Sequence, residues 1–227
     1  MSIMSYDRTC LFRVGLSRKH FWLHSVILAD RSPYLKGILD PVMEENQKIE
    51  HATGEYDGEF NYPDFDELSF SLFASWCRGA WLDGPKDFHS LNHYVCLYQI
   101  AEEFQIEYLK NRIMNMIRWY YRKENMTAPA FRLETLYKLD RPNLLREFMV
   151  ATAAYRATGE TDGGISDSIR GVLRTYPDCA LDFIDALLKL GQNDRADVRR
   201  GDDCVWHEHE ITERCKPCPS LEPWQNP

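Results

Sequence analysis

The segment CVWHEHEITERCKPC near the C-terminus carries three cysteines and two histidines within fifteen residues. Structural zinc sites hold the ion in a tetrahedron of four Cys or His ligands, commonly supplied as two closely spaced pairs. A Cys-x2-His pair followed by a Cys-x2-Cys pair permits that arrangement here. The ligands predicted are Cys204, His207, Cys215 and Cys218, with His209 as an alternate histidine. Because four protein ligands leave no open coordination position, the pattern indicates a structural zinc ion and not a catalytic one.

A second interpretation of this segment stays open: a docked or disordered tail whose cysteines are incidental. Enzyme motifs are missing from the chain. The HEHE tetrapeptide at 207–210 does not have the HExxH spacing that places two histidines on one helix face. No glycine-rich phosphate loop follows a strand, and no serine or cysteine lies in a nucleophile-elbow motif. We therefore predict that the protein is not an enzyme.

The overall charge limits the classes of partner. The 227 residues have a formal net charge of -8 and a pI near 5.4, whereas nucleic acids and anionic membranes select basic surfaces. The RWYYRK segment at 118–123 interleaves basic and aromatic residues, a pattern that could stack single-stranded nucleic acid. Cations at the C-terminal end of a helix, where the helix dipole favours them, are the simpler explanation. No apolar run reaches the roughly 20 residues of a membrane span, and no signal-peptide pattern is present. We expect an intracellular protein, nuclear or cytoplasmic, that binds neither membranes nor nucleic acid.

Hydrophobic periodicity predicts an α+β fold. Residues 10–24 contain two segments of alternating apolar and polar side chains, which is typical of an antiparallel hairpin. In the stretch HSVILADRSPYLKGIL, Ser32 and Pro33 form an N-cap and first-turn pair, so one short helix ends there and another begins. The polar residues 40–59 predict a loop that leads to a strand at EFNYP. Three helices follow, and from about residue 130 the pattern is helical throughout.

Three motifs within about residues 10–120 resemble those of the BTB/POZ domain family. FWLHSVILADRSPYLKGIL is similar to the family's His, Leu and Arg-Ser-Pro-aromatic signature, and FSLFASWCRGAW to its helix that ends in aromatic-x-x-Gly. LYQIAEEFQIEYLKNRI is similar to the helix pair that follows. The residues at the matching signature positions are His24, Arg31, Ser32, Pro33, Tyr34, Trp76 and Gly79.

The resemblance implies a BTB/POZ-like fold, with a small sheet flanked by a cluster of helices and followed by an all-helical extension. We predict three parts in the chain. Residues 1–125 form the BTB/POZ-like domain, residues 126–196 the helical extension, and residues 197–227 the Cys/His-containing tail.

The same resemblance implies a protein-interaction module without a catalytic centre. Many family members are substrate adaptors for cullin-type ubiquitin ligases, which they contact through a hydrophobic-x-Glu element. Met43 and Glu45 in PVMEEN match this element, although a solvated acidic loop is another interpretation of so short a pattern. Members that dimerise usually carry an extra element before the first strand, and about nine residues precede Cys10 here. A monomer or a weak homodimer is therefore expected.

The leading prediction of function is a scaffold or a substrate adaptor for a cullin-type ubiquitin ligase, which presents one protein to another. Two alternatives stay open. One is a zinc-binding nuclear regulatory factor assembled through its BTB-like domain, which nucleic-acid affinity with a steep salt dependence would favour. The other is a purely structural oligomerising module, whose mass would rise with concentration.

Overall fold

The computed structural model describes the chain in six stretches: residues 9–48, 58–138, 142–159, 164–192, 196–201 and 203–215. The side chains of residues 42–48 and of Asp203 lie outside this description. The chain divides into two compact units, residues 1–113 and 114–227. Within the described stretches, no helix combines the length and the apolarity that crossing a membrane requires.

Among the described residues of the first unit, three strands form a mixed sheet. Its strands are β1 (Thr9–Val14), β2 (Lys19–His24) and β3 (Gly58–Tyr62), in the order β2-β1-β3. β1 pairs antiparallel with β2, which confirms the predicted hairpin, and it pairs parallel with β3. Phe12 at the centre of β1 lies opposite Phe21 on one side and Phe60 on the other. The central strand is therefore enclosed by neighbours on both edges.

The helices in the described part of the first unit complete the predicted order of elements. They are α1 (Ser25–Arg31), α2 (Pro33–Lys48), α3 (Glu67–Cys77), α4 (Phe88–Glu103) and α5 (Glu107–Lys123), and α5 continues into the second unit. Two strands, two helices, one strand and three helices follow one another, as the hydrophobic periodicity predicts. The α+β class, with a small sheet flanked by helices, is confirmed.

Aromatic side chains from the sheet and the helices share one core. The Phe12 ring lies 5.0 Å from the Phe60 ring in β3 and 5.4 Å from the Phe70 ring in α3. Phe104, just after α4, lies 5.2 Å from Phe73 in α3. Ring centroids at these separations attract each other beyond the gain from burial alone. The contacts join β1, β3 and α3 to the end of α4.

The junction between α1 and α2 is fixed by Ser32. This residue is fully buried, and its Oγ accepts the Leu35 amide hydrogen at 2.9 Å while its hydroxyl donates to the Phe104 carbonyl at 2.6 Å. Pro33 occupies the first position of α2, where a missing amide hydrogen costs no hydrogen bond. The predicted end of one helix and start of the next at Ser32 is thus confirmed.

We expect Ser32→Ala to lower the free energy of unfolding by about 2 kcal/mol, because the Leu35 amide and the buried Phe104 carbonyl both lose a partner. Ser166 is the matched control, since it is the N-cap of an exposed helix start. Ser166→Ala is expected to cost about 0.5–1 kcal/mol. Urea unfolding followed by circular dichroism measures both values, and equal losses would contradict the bridging role of Ser32.

The remaining residues that match the BTB/POZ motif lie in or next to helices α1, α2 and α3. The Arg31 guanidinium lies 5.1 Å from the centre of the Trp76 ring, a cation–π contact between α1 and α3. Gly79 follows α3 with φ of 87°, a left-handed value that glycine adopts without strain. His24 is the exposed N-cap residue of α1 and makes no side-chain cap bond, and Tyr34 is half-buried in α2.

The loop prediction for residues 40–59 is wrong over its first half. α2 does not end near Leu39 but continues to Lys48. Glutamate, methionine, glutamine and lysine have high helix propensity, and they extend the helix although Pro41 removes one of its hydrogen bonds. Met43 and Glu45 consequently lie on a helix, and their side chains are outside the described part of the chain.

The described part of the second unit is mainly helical up to Gln192. Beyond α5 its helices are α6 (Ala130–Lys138), α7 (Leu144–Gly159), α8 (Asp167–Thr175) and α9 (Pro177–Gln192), and a 3-10 turn spans Asp203–Trp206. α7 packs on α9, and α6 packs on α7 and α8. Phe148 of α7 is buried with its ring 5.7 Å from that of Tyr121 in α5. The predicted all-helical extension is confirmed.

Candidate metal centre

The segment that contains the cysteines and histidines is docked on the second unit. The Trp206 ring packs 5.3 Å from the Phe148 ring of α7. Upstream, Arg199 donates from Nη1 to the Asn125 side chain at 3.1 Å and to the Met126 carbonyl at 2.9 Å. These contacts anchor the chain before and after Cys204 to the rest of the second unit. The candidate metal ligands therefore belong to a segment whose position is fixed.

An ion pair keeps Arg199 in place. Its Nε and Nη2 donate to the two carboxylate oxygens of Asp197 at 2.8 and 2.9 Å. Burial by itself raises the pKa of Asp197, but the hydrogen bonds from Arg199 outweigh burial and hold that pKa below its ordinary value. The carboxylate is therefore ionised at neutral pH and binds the guanidinium in a bidentate arrangement.

Cys204, His209 and Cys215 come together in this segment and could hold a metal ion. Their ligand atoms all lie within 4.8 Å of one another. Nε2 of His209 is 3.2 Å from Sγ of Cys204 and 3.8 Å from Sγ of Cys215. A tetrahedral zinc ion, with Zn–S of about 2.3 Å and Zn–N of about 2.0 Å, separates nitrogen and sulfur ligands by about 3.5 Å. The three residues are thus spaced as zinc ligands are.

Thr212 lies beside the outer nitrogen of His209. Its hydroxyl donates to the Glu208 carbonyl at 3.2 Å, and its oxygen is 3.3 Å from Nδ1 of His209, where it is placed to accept a hydrogen from that nitrogen. With the proton on Nδ1, Nε2 keeps its lone pair directed at the two sulfur atoms. Ligating histidines in zinc sites are regularly oriented by such an outer hydrogen bond.

His207 lies beside Cys215 but outside the group of three. Its Nδ1 is 2.9 Å from Sγ of Cys215, and its Nε2 is 2.8 Å from the side-chain oxygen of Asn115 in α5. The imidazole therefore links the Cys215 sulfur to a helix of the same unit. With Nε2–H donated to the Asn115 oxygen, Nδ1 of the neutral imidazole accepts the hydrogen of the Cys215 thiol.

The structure brings part of the predicted ligand set close together. Cys204 and Cys215 come together as predicted, and the histidine in their group is the alternate, His209. His207 contacts Cys215 without joining the group. Cys218 lies outside the described residues.

Two residues next to the cluster, Asn115 and Thr212, are not predictable from the sequence. Thr212 follows His209 by three residues, and the backbone turns so that the Thr212 hydroxyl contacts the His209 ring. Asn115 is 92 residues away from His207, so only tertiary folding joins the two side chains. No motif marks either residue.

Comparison with known proteins does not assign the site. A scan against protein-family models found no match to this chain, and a search of curated proteins found none either. We therefore infer the function from the element order, the metal cluster and the exposed surfaces of the described residues.

Proposed function

We propose that the chain is a protein-interaction module, acting as a scaffold or as a substrate adaptor for a cullin-type ubiquitin ligase. The observation that supports this proposal is the element order of residues 9–123, which is the order that the BTB/POZ resemblance implies. Ser32 and Gly79 lie at the turns of this order. In such a module, partners are recognised by exposed side chains and the chain performs no chemistry of its own.

Affinity purification from the native cells tests the adaptor proposal, with co-purifying proteins identified by mass spectrometry. We expect a cullin to be recovered with the wild-type chain and lost with the Met43→Ala, Glu45→Ala variant. An apolar anchor with a carboxylate nearby supplies affinity and specificity in such contacts. The matched control is Lys36→Ala, Asp40→Ala, which changes two exposed residues earlier on the same helix.

Recovery of no cullin with any form of the chain would contradict the adaptor proposal. A mass that rises with concentration would then favour the structural oligomerising module. A cullin that is retained equally by the double variant would exclude Met43 and Glu45 as its contact.

The proposed cofactor is a structural zinc ion. Its ligands are Cys204, His209, Cys215 and Cys218, of which the first three converge and the last completes a Cys-x2-Cys pair with Cys215. Thiolate and imidazole ligands suit zinc, whereas magnesium and calcium select oxygen ligands. His207 lies beside the Cys215 sulfur in this assignment and is not a ligand. The ion would close the loop between Cys204 and Cys215 and help to hold the segment on the helical unit.

A further inference from the structure

Helix α9 has two apolar faces. The buried face is directed at the other helices of its unit and consists of Cys179, Phe183, Ala186 and Leu190. Leu181, Ile184 and Leu188, the α9 strip, are exposed to 62%, 52% and 60%. At about 100° of rotation per residue, the two sets lie on opposite sides of the helix. α9 therefore presents a row of aliphatic side chains to solvent in addition to its buried face.

The spacing of the α9 strip suits another helix. Its members occur at positions i, i+3 and i+7 and extend over about two turns, roughly 10 Å along the axis. Helices bury aliphatic side chains against each other at this spacing. An extended peptide instead repeats on one face about every 6.6–6.8 Å, which does not match the 5.4 Å turn of a helix surface.

The two borders of the α9 strip differ in chemistry. Asp178 and Asp185 are exposed along one border, and exposed Lys189 follows Asp185 by one turn. Ala180 and Leu187, both partly buried, lie along the other border. An incoming helix therefore meets two carboxylates and one lysine on one side and an apolar surface on the other. Cationic side chains on the partner complement the acidic border and fix its orientation.

A second copy of the chain is a poor occupant. Each copy has a formal net charge of -8 and brings two carboxylates and one ammonium group to the border, so the excess of like charge opposes self-pairing. The same charges attract a basic helix.

We propose that the α9 strip is the docking site for an amphipathic α-helix of a partner protein. That helix presents aliphatic side chains at i, i+3 and i+7, with Lys or Arg along the border that meets Asp178 and Asp185. The inference rests on the proposed function as an interaction module, for which it names the surface and the kind of partner.

Two fluorescent helical peptides of about 18 residues test this docking with the full chain. The basic peptide has Leu at the three positions and Lys along one border, and the acidic peptide has Glu in place of Lys. Fluorescence anisotropy is expected to show binding of the basic peptide and at least about 10-fold weaker binding of the acidic one. The Leu181→Gln, Ile184→Gln, Leu188→Gln variant should bind the basic peptide at least about 10-fold more weakly than wild type. Asp178→Asn, Asp185→Asn should weaken binding about 3-fold and reduce its salt dependence.

Two controls isolate the α9 strip. Leu68→Gln changes an aliphatic side chain in α3 that is 53% exposed, and it should leave peptide binding unchanged. Met43→Ala, Glu45→Ala should also bind the peptide normally, so failure of this test and failure of the adaptor test are distinguishable. The triple glutamine variant should keep its unfolding temperature, because exposed aliphatic side chains contribute little to folding.

Three results would overturn the proposal. One is the absence of binding by the basic peptide, and another is binding that the triple glutamine variant retains in full. The third is a mass that rises with concentration and that the triple variant restores to the monomer, since a second copy would then be the occupant. Equal affinity for the basic and acidic peptides would overturn the assigned role of Asp178 and Asp185.

Discussion

Cys215→Ser is expected to abolish stoichiometric zinc binding by the chain. Cysteine binds zinc as a thiolate, whereas a serine hydroxyl stays protonated at neutral pH and is a poor ligand. The substitution also removes the sulfur that Nε2 of His209 faces at 3.8 Å and Nδ1 of His207 contacts at 2.9 Å. We expect the affinity for zinc to fall by more than about 100-fold. Metal analysis after dialysis, with competition against a chromophoric chelator, measures the change.

Cys96→Ser is the matched control for this experiment. Cys96 belongs to α4 in the first unit and has no part in the cluster. Its serine variant should bind as much zinc as the wild-type chain. If Cys215→Ser retained its zinc, the metal centre would be contradicted and the cysteines of the tail would be incidental.

Variants of the two histidines separate the ligand from its hydrogen-bond partner. His209→Ala should lose zinc as completely as Cys215→Ser does. His207→Ala should weaken binding by about 10- to 100-fold, the range found for outer partners of metal ligands. Asn115→Ala should have a smaller effect in the same direction, because Asn115 acts only through His207. The opposite order of the two histidine effects would exchange their roles.

Asp182→Ala is expected to lower the free energy of unfolding by about 3 kcal/mol, because it leaves a buried cation without its counter-charge. Arg146 of α7 is 8% exposed, and its Nε and Nη2 donate to Oδ2 of Asp182 in α9 at 3.1 and 2.7 Å. The Tyr137 hydroxyl of α6 donates to the same oxygen at 2.5 Å. The Asp182 side chain is 35% exposed, so water compensates part of the loss.

The hydrogen bond from Tyr137 stays intact over a wide pH range. Burial and the bond to Asp182 raise the pKa of Tyr137 far above its ordinary value, so the hydroxyl remains protonated. Asp182→Asn keeps an oxygen that accepts this hydrogen and removes only the charge. We therefore expect it to cost less than Asp182→Ala, about 1–2 kcal/mol.

Two further variants are controls. One removes an exposed carboxylate from the same helix, and the other removes both charges of the ion pair. Asp185→Ala replaces an exposed carboxylate on the same helix and should change the free energy of unfolding by less than about 0.5 kcal/mol. Arg146→Met combined with Asp182→Leu removes both charges and should recover part of the stability that Asp182→Ala loses, because the Tyr137 hydroxyl still lacks its acceptor. Urea unfolding gives all these values, and a loss for Asp182→Ala no larger than that for Asp185→Ala would contradict the network.

The order of elements in the first unit can be predicted from the sequence because the patterns that indicate each element are local. Alternation in residues 10–24 and the cap at Ser32 depend on side chains within a few positions of one another. The end of α2 is not readable in the same way. Residues 42–48 are mostly polar with high helix propensity, so they suit a loop and an exposed helix equally, and a proline stands just before them.

By itself the sequence determined that cysteines and histidines cluster near the C-terminus and that residues 179–190 are helical. Tertiary structure decided that His209 faces both sulfurs and that His207 binds Asn115. It also decided which apolar face of α9 is covered, because the pattern is apolar on opposite sides and only the neighbouring helices distinguish them. Hydrogen-bond partners and burial are properties of residues distant in sequence, and no local pattern contains them.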